Sequence, residues 1–477
     1  MQSEEIQIPS GIVNLLSGAE AWSYRLVPYR KSGDGLRFWG EEGRDYTAAI
    51  EELEVLTGEK IGIDHIGSDR LGLFLNRYYR GGGKNNTGKA IFRSDNGNNQ
   101  GFLQELIRDA FRNYASDIHF EPFEENCRIR LRIDGKLIER HAVAKGNYMS
   151  LVNQVKILAN MDISEKRLPQ DGRMLYRQEE NHFDVRVSTL PTIHGEKVVM
   201  RLLTRHVELL ELKNLGFGEQ QLYTYLSAVH KPHGLILISG PTGSGKSTTL
   251  YATLRLLNEK SRNILTIEDP VEYTLEGVNQ VQLKEEIGLT FAGALRTFLR
   301  QDPDVIMLGE IRDADTAQMA IRSSLTGHLV FSTIHTNSAW GCISRLSDMG
   351  VHPYLISDTL LVCVAQRLVR LLCPACKQPA GQSDVFPGME KGKSLYKAVG
   401  CEKCYYTGYS GRKAIYEVLP VDSEINGFIR NCQSGIETYC NRRNILTLRE
   451  SALELLYLGM TSVEEVLPLV TVNNYLN

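Results

Sequence analysis

The sequence lacks several features that would place it in a specialised class of protein. No stretch reaches 18 uncharged apolar residues, since the best candidate, residues 355–372, contains Asp358, Arg367 and Arg370. A membrane-spanning helix is therefore not expected. Basic residues number 54 against 57 acidic ones, so the basic excess that is typical of a dedicated nucleic-acid binder is missing. Nine cysteines in 477 residues are too few for a disulfide scaffold.

The N-terminal sequence, MQSEEIQIPSG, has neither the basic region nor the apolar core of a signal peptide. Apolar residues make up 42% of the chain and charged residues 23%, which is ordinary for globular protein. The length corresponds to about three domains. We therefore expect a cytosolic, multidomain protein whose cysteines are reduced or bound to metal.

The first third of the chain divides at a segment rich in glycine and asparagine. GGGKNN and SDNGNN lie between residues 80 and 99, and this composition favours a flexible linker. Before it, residues 68–79 have the apolar spacing of a helix. After it, residues 102–114 form a second apolar helical stripe. Residues 128–133 then alternate arginine with apolar residues, which predicts a strand whose arginine face is a solvated surface, ending at the hairpin signal Asp134-Gly135.

From residue 209 the pattern changes to short, continuous apolar runs separated by segments of helix length. Such runs are typical of a parallel sheet that is covered on both faces. The pattern therefore predicts an α/β nucleotide-binding core. Its runs are GLILIS (234–239), NILTI (263–267), VIML (305–308) and LVFST (329–333).

A complete phosphate-binding motif follows the first of these runs. Residues 240–247, GPTGSGKS, match G-x-x-x-x-G-K-[ST] at every fixed position, between a predicted strand and a helix over 248–257. In such a loop backbone N–H groups cradle phosphate oxygens at a helix N-terminus. Lys246 would reach the β- and γ-phosphates, and Ser247 would ligate Mg²⁺. The residues expected to bind nucleotide are Gly240, Pro241, Thr242, Gly243, Ser244, Gly245, Lys246, Ser247 and Thr248.

Hydrolysis requires a carboxylate beside the phosphates, and two strand ends offer one. Glu268 ends the run NILTI, and Glu310 follows VIML after Gly309, where a Walker B strand usually has an aspartate. A glutamate there could hold the metal through water or polarise the attacking water. His328 and His335 flank the next run; one could sense the γ-phosphate while the other packs.

Two C-x-x-C pairs, separated by 24 residues, lie further along the chain. Two such knuckles complete a tetrahedral zinc site, and four protein ligands leave no open position, which indicates a structural role. A redox pair or plain buried thiols are the alternatives. The expected zinc ligands are Cys373, Cys376, Cys401 and Cys404, while the cysteines read as ordinary small apolar residues are Cys127, Cys342, Cys363, Cys432 and Cys440.

The order of these motifs resembles the ATPase family of type II secretion and type IV pilus assembly. The resemblance runs from about residue 100 to the C-terminus, and residues 8–79 resemble the family's N-terminal adaptor domain more weakly. Its blocks are ASDIHFEP (115–122), IRLRIDG (129–135), RLPQDGR (167–173), VRVSTLP (185–191), HGEKVVMRLL (194–203), IEDPVEY (267–273), LRQDPDVIMLGEIRD (299–313) and LTGHLVFSTIHTN (325–337).

The resemblance implies a hexamer in which ATP and Mg²⁺ bind between a PAS-like α+β domain and a RecA-like P-loop domain. It implies that Glu310 is the catalytic carboxylate, that Glu268 orients metal or water, and that His335 belongs to the histidine box. Arg173 and Arg186 would clamp phosphate from the smaller domain. The expected domains are an N-terminal adaptor (1–80), a flexible linker (81–99), the PAS-like domain (100–208), the RecA-like domain (209–370), a zinc-binding insertion (371–411) and a C-terminal helical region (412–477).

The resemblance also implies partners and a location. Pilus retraction ATPases typically lack the cysteine insertion, so the chain resembles an assembly or secretion motor. It would be recruited from the cytoplasm to inner-membrane platform proteins through its N-terminal domain, with no nucleic-acid partner. A type IV pilus or DNA-uptake motor of the same family remains open, as do a RecA-like DNA motor and a nucleotide-gated adaptor that does not hydrolyse ATP.

Overall fold

A computed structural model gives the structure of the chain. It describes residues 12, 15–16, 18–32, 35–78, 99–178, 181–203, 211–382, 389, 392–431 and 436–470. The predicted linker lies outside these residues except for Asn99, which begins a helix, and so do Cys432 and the predicted boundary at 208–209. The described residues form three units, each built around its own sheet.

In the described part of residues 18–78, the N-terminal unit packs three helices against a three-stranded sheet. Strands β1 and β2 are antiparallel, and β2 and β3 are parallel. Trp39 stacks between Tyr29 and Phe74, with 4.3 Å between ring centroids on each side. The unit therefore has its own aromatic core, formed by α1 (Gly18–Tyr24), β1 (Leu26–Ser32), β2 (Gly35–Glu41), α2 (Thr47–Thr57), β3 (Ile61–Ile66) and α3 (Ser68–Tyr78).

The second unit is an antiparallel six-stranded sheet with two helices on one face, which agrees with the expected α+β class. The hairpin predicted at Asp134-Gly135 is present, with positive φ at both residues. The predicted helix begins at Asn99, three residues earlier than expected. The elements are α4 (Asn99–Arg112), β4 (Asp117–Pro122), β5 (Asn126–Ile133), β6 (Lys136–Ala144), α5 (Lys145–Leu158), β7 (Gln170–Gln178), β8 (Asn181–Thr192) and β9 (Gly195–Leu203), in sheet order β6-β5-β4-β9-β8-β7.

The other face of this sheet is polar, but it is not the plain solvated surface that the arginine pattern suggested. Buried Glu121 on β4 accepts from Arg128 and Arg130 on the neighbouring β5, at N–O distances of 2.9 and 2.6 Å. Although burial alone would raise its pKa, these arginines hold the pKa of Glu121 below its ordinary value. The arginine face is therefore an ion-paired layer.

The third unit is a seven-stranded sheet in the order β12-β11-β13-β14-β10-β15-β18. Its strands are parallel except for the pair β15–β18. Helices cover both faces, so central strands such as β10 are buried at every residue. The elements up to β14 are α6 (Glu219–Val229), β10 (Gly234–Ser239), α7 (Lys246–Leu257), β11 (Ile264–Glu268), β12 (Asn279–Gln282), α8 (Phe291–Phe298), β13 (Val305–Leu308), α9 (Ala314–Leu325) and β14 (Leu329–Ile334).

The four cysteines lie in an insertion between β15 and β18 of this sheet. The sequence predicts a C-terminal helical region from residue 412, but residues 412–420 are part of β18. That strand pairs with β15 along most of its length. The helices that follow start only at Ser423. The remaining elements are α10 (Ala339–Asp348), α11 (Pro353–Thr359), β15 (Leu360–Leu372), β16 (Gln378–Gln382), β17 (Ser394–Lys397), β18 (Tyr409–Pro420), α12 (Ser423–Asn431), α13 (Ile436–Arg443), α14 (Leu448–Tyr457) and α15 (Val463–Val470).

Candidate functional site

The predicted phosphate loop connects β10 to α7 at the carboxyl edge of the parallel sheet. Gly240 has a φ of 150°, and a Cβ atom there would lie 2.5 Å from the carbonyl oxygen of Gln366. Gly245 takes the left-handed conformation, with φ 88°, directly before the helix. Both positions therefore require glycine, and the helix begins at Lys246, two residues earlier than predicted.

Lys246 and Ser244 provide this loop with two side-chain hydrogen-bond donors. The Lys246 Nζ donates to the carbonyl oxygens of Gly240 and Pro241, at 2.7 and 3.1 Å. Burial lowers the pKa of Lys246, and the negative charge of Glu310 opposes that shift. The buried Ser244 hydroxyl has no hydrogen-bond partner among the described residues. A phosphate oxygen would satisfy both groups, because an ammonium and a hydroxyl are both donors.

Glu310, two residues after the end of β13, lies beside the side chains of Arg312 and His335. Its carboxylate contacts the guanidinium of Arg312, and its Oε2 lies 3.4 Å from the His335 Nε2. Arg312 also approaches Asp269, at 3.9 Å. The Glu310 side chain is 14% exposed, so the carboxylate remains open to a small molecule. The structure thus brings together Glu310, His335 and, within electrostatic reach, Lys246.

Glu268, at the end of the neighbouring β11, has a different environment. Only 4% of the residue is exposed. Its Oε1 accepts from the Thr266 hydroxyl at 2.6 Å and from the Gln280 amide at 3.0 Å. Its Oε2 accepts from the Tyr251 hydroxyl. The orienting role predicted for Glu268 stays a prediction; the structure shows a carboxylate held inside the protein by three neutral donors.

The two histidines lie at opposite ends of β14. His328 precedes β14, where its Nδ1 lies 2.9 Å from the Ser323 carbonyl oxygen and 3.2 Å from the Thr326 hydroxyl. His335 follows β14 on the same edge as the phosphate loop, next to Glu310. His335 is therefore the histidine placed beside Glu310, and the roles expected for the two histidines stay predictions.

The two predicted phosphate-clamping arginines face each other across β7 and β8, but they make different contacts. Arg186 donates to the carbonyl oxygen of Val271, and its guanidinium lies 3.8 Å from the Glu272 carboxylate. It therefore reaches across to the loop that follows Glu268. Arg173 instead forms a two-point ion pair with Asp184, at 3.0 and 2.7 Å, with its side chain 62% exposed. Arg173 is thus engaged within its own sheet.

The four predicted zinc ligands converge. All four sulfur atoms lie within 4.8 Å of one another. The sulfur–sulfur distance is 3.9 Å for Cys373–Cys401 and 3.8 Å for both Cys376–Cys404 and Cys401–Cys404. Thiolates at about 2.3 Å from zinc in a tetrahedron are about 3.8 Å apart. The all-thiolate donor set and these spacings both fit zinc.

A cavity of about 740 Å³ extends from the beginning of α7 to the small domain and the second cysteine knuckle. Gly245 and Thr248 line one side, and Ile133 and Lys136 of the β5–β6 hairpin line another. Tyr405, directly after Cys404, borders it as well and donates its hydroxyl to the Asn113 side chain. The three parts of the chain therefore share one pocket next to the phosphate loop.

Three polar side chains at this site were missed in the sequence. Arg312 pairs with Glu310. The Gln366 amide oxygen accepts from the Thr249 hydroxyl, at 2.9 Å, at the beginning of α7. Arg367 lies against the phosphate loop, as described below. The available signal was the interruption of an otherwise apolar strand, residues 360–372, by Gln366 and Arg367.

No helix in the described ranges is both long and apolar enough to cross a bilayer.

Comparison with known proteins supports the motifs. Residues 93–468 match the family described as Type II/IV secretion system protein. The Type II secretion system protein E of Dickeya dadantii (strain 3937) is 49% identical over 369 residues, which cover 76% of this chain and 74% of that protein. The Type IV pilus assembly ATPase PilB of Thermus thermophilus is 47% identical over 377 residues, covering 77% of this chain and 42% of that protein.

Solved structures agree on the architecture. The crystal structure of the pilus retraction motor PilT with bound ADP aligns with a TM-score of 0.54 at 27% identity, covering 78% of this chain and 97% of that one. The ATPase DotB of Legionella pneumophila aligns with a TM-score of 0.58 at 21% identity, covering 77% and 95%, and supports the fold alone. The chain has a RecA-like P-loop core and belongs to the Type II/IV secretion system protein family, as an ATPase related to those of type II secretion and type IV pilus assembly.

Proposed function

We propose that this chain is a cytoplasmic, hexameric ATPase that hydrolyses ATP at residues 240–248 to drive assembly of a pseudopilus or pilus. The observation that carries the proposal is the meeting of Lys246, Glu310 and His335 at one edge of the parallel sheet. A phosphate cradle alone would only bind nucleotide. A partly exposed carboxylate beside it, that of Glu310, supplies a group that can act on water.

Binding would use groups that the loop already presents. The backbone N–H groups at the start of α7 point along the helix axis toward a bound anion. Lys246 and Ser244 add two side-chain donors. Ser247, exposed at the second position of α7, is the residue that would hold Mg²⁺. When bound, Mg²⁺ neutralises charge on the phosphates. The adjoining cavity would receive the nucleoside.

Hydrolysis would depend on Glu310 as the group that orients and polarises the attacking water. His335 and Arg312 hold the two oxygens of Glu310 in place. The carboxylate is thereby oriented toward the edge of the sheet where the phosphate loop lies.

Domain motion would be coupled to this chemistry through Arg186. Its contact with Val271 and Glu272 joins the small domain to the loop after β11. Arginine's planar fork also suits phosphate oxygens. Arg173 would reach phosphate only after giving up Asp184 or moving with its sheet. A rigid-body closure of the two domains would thus alter the arginines presented to the site.

The test of ATP hydrolysis is Lys246→Ala in the full chain. We expect turnover to be abolished, because the ammonium is the one charged donor on the phosphate loop itself. Lys260→Ala removes an exposed lysine beyond the end of the same helix and should leave turnover unchanged. Phosphate release at the wild-type rate from Lys246→Ala would refute the assignment of the site.

We also propose that Cys373, Cys376, Cys401 and Cys404 bind a structural zinc ion. The purified chain should then contain about one zinc per molecule. Cys373→Ser/Cys404→Ser should lose zinc together with solubility, because a site of this kind folds with its metal. Cys127→Ala, outside the cluster, should keep the zinc. Loss of solubility with zinc retained would count against ligation by the quartet.

Recruitment to inner-membrane platform proteins is assigned to the N-terminal unit. That unit has its own core, separate from the ATPase sheet, and the family match begins only at residue 93. A tagged full chain should retain a bitopic or polytopic inner-membrane protein in a pull-down from solubilised membranes of the native organism. A chain lacking residues 1–98 should not retain it. Equal retention by both would move recruitment to another part of the chain.

A further inference from the structure

Arg367 lies at the junction of two loops that the nucleotide site needs. It belongs to β15, whose Ala365 pairs with Ser239, the last residue of β10 before the phosphate loop. Its Nη1 donates to the carbonyl oxygen of Gln366 at 2.9 Å. A Cβ atom on Gly240 would lie 3.1 Å from the same nitrogen. The guanidinium therefore packs directly on the first glycine of the phosphate loop.

The other terminal nitrogen of Arg367 contacts the loop that follows His335. Its Nη2 donates to the carbonyl oxygen of Asn337 at 3.1 Å and lies 3.5 Å from that of Thr336. His335, one residue earlier, is the side chain that lies 3.4 Å from Glu310. One guanidinium thus packs on the phosphate loop through Nη1 and donates to the loop that carries His335 through Nη2.

Among the described residues, the guanidinium of Arg367 is bound by neutral acceptors. No carboxylate of the described residues lies within ion-pairing distance of it, and it donates instead to backbone carbonyls and to the Asn337 side chain. Burial lowers the pKa of Arg367, and the charge of buried Glu417 offsets this only in part. Its positive charge also contributes, after burial, to the lowered pKa of Lys246. A cation that is bound by neutral acceptors beside the phosphate loop is placed where the function of the site needs it, rather than where an ion pair would hold it.

We infer that Arg367 is a positioning residue that holds the His335 loop in register with the phosphate loop, so that His335 can act on Glu310. This inference rests on the proposed function, because it assumes that ATP binds at residues 240–248 and that Glu310 orients the attacking water. Arg367 acts through backbone carbonyls and needs no contact with the reacting atoms.

The experiment is a double-mutant cycle with Arg367→Gln and His335→Ala, read as kcat for ATP. Each single variant should lower kcat by about tenfold or more. The double variant should be no more than about twofold slower than the slower single variant, because both changes remove the same coupling. Independent effects that multiply would overturn the inference, and so would wild-type kcat in either single variant.

A binding measurement separates positioning from a general structural defect. Arg367→Gln should bind a fluorescent ADP analogue within about threefold of wild type, since the loop amides and Lys246 remain. If it binds no ADP, the cycle is run with Arg367→Lys, which keeps the charge and the stem. A lysine has one terminal nitrogen and cannot contact both loops at once. The kcat of Arg367→Lys should therefore be less than about threefold higher than that of Arg367→Gln. Full recovery would contradict the role of the fork.

Two controls distinguish a failure of the proposed function from a failure of the inference about Arg367. Arg442→Gln removes one positive charge from an exposed ion pair with Glu424 and should leave kcat unchanged. Wild type and Lys246→Ala are measured first. A wild-type chain without turnover would refute the proposed function itself, whereas wild-type turnover with an unaffected Arg367→Gln would refute only this inference.

Discussion

The strand ends at Glu268 and Glu310 lie on neighbouring parallel strands, β11 and β13, yet their carboxylates have contrasting surroundings. Glu268 is buried among three neutral donors, the side chains of Tyr251, Thr266 and Gln280. Glu310 is partly open and faces Arg312 and His335. The same residue type at two adjacent strand ends is thus placed in a packed interior in one case and in a charged opening in the other.

The difference shows what each environment allows. A buried carboxylate that accepts from several protein groups is costly to disturb, because any replacement leaves donors unpaired. Burial also raises the pKa of Tyr251, with the negative charge of Glu268 acting in the same direction, so the phenol remains a donor. A partly exposed carboxylate beside an arginine and a histidine can exchange its partners with a substrate. Glu310 is therefore suited to chemistry, and Glu268 is suited to holding α7, β11 and β12 together.

Among the variants that compare the two glutamates, Glu310→Gln should have the largest effect, and this effect should be on turnover. The amide keeps the shape of the side chain but loses the charge that polarises water, so kcat should fall by at least about tenfold. Thermal unfolding should change little, because the side chain is partly solvated and its partner Arg312 is exposed. A large loss of stability with unchanged kcat would reverse the roles assigned to the two glutamates.

Glu268→Gln should show the opposite pattern. An amide places a donor where the carboxylate accepts, so the free energy of unfolding should fall by about 1–3 kcal/mol. At a temperature where the variant is folded, kcat should stay within about threefold of wild type. Chemical denaturation and a steady-state assay on the same preparation measure both quantities. A loss of kcat as large as that of Glu310→Gln, at unchanged stability, would support the orienting role predicted from the family resemblance.

The smallest expected effect is in Tyr251→Phe. The phenol donates to Glu268 and lies 3.3 Å from the backbone nitrogen of Glu272, so its loss should cost about 1 kcal/mol of stability. The ring and its contact with Tyr273, at 4.2 Å between centroids, remain. Measured by denaturation, a variant as unstable as Glu268→Gln would show that Tyr251 is the dominant partner in the network.

The parts of the site that were predictable from the sequence are those encoded in short, local patterns. The phosphate loop is contiguous, and each C-x-x-C knuckle is local, so spacing alone was sufficient. The strands of the parallel sheet were marked by continuous apolar runs, and all four predicted runs lie on strands within a residue or so. The carboxyl-edge positions of Glu310 and His335 then followed from the topology of a parallel sheet.

The remaining features depend on contacts between distant segments, which no local pattern records. The pairing of β18 with β15 draws residues 412–420 into the sheet, where a helical region was predicted. The partners of Glu268 come from α7 and β12, and the contact of Arg186 with Val271 crosses between two domains. In the sequence, Arg367 is noticeable only as a charged residue within an apolar strand. Its contacts could not be predicted, because they depend on which loops meet at that strand.

The measurement that tests the account most directly is a single-turnover assay with ATP on wild type and Glu310→Gln, at enzyme in excess over nucleotide. It separates the chemical step from product release. The account predicts that Glu310→Gln binds ATP as wild type does and converts it at least about tenfold more slowly. Conversion at the wild-type rate would show that Glu310 has no part in hydrolysis, and it would contradict the central claim.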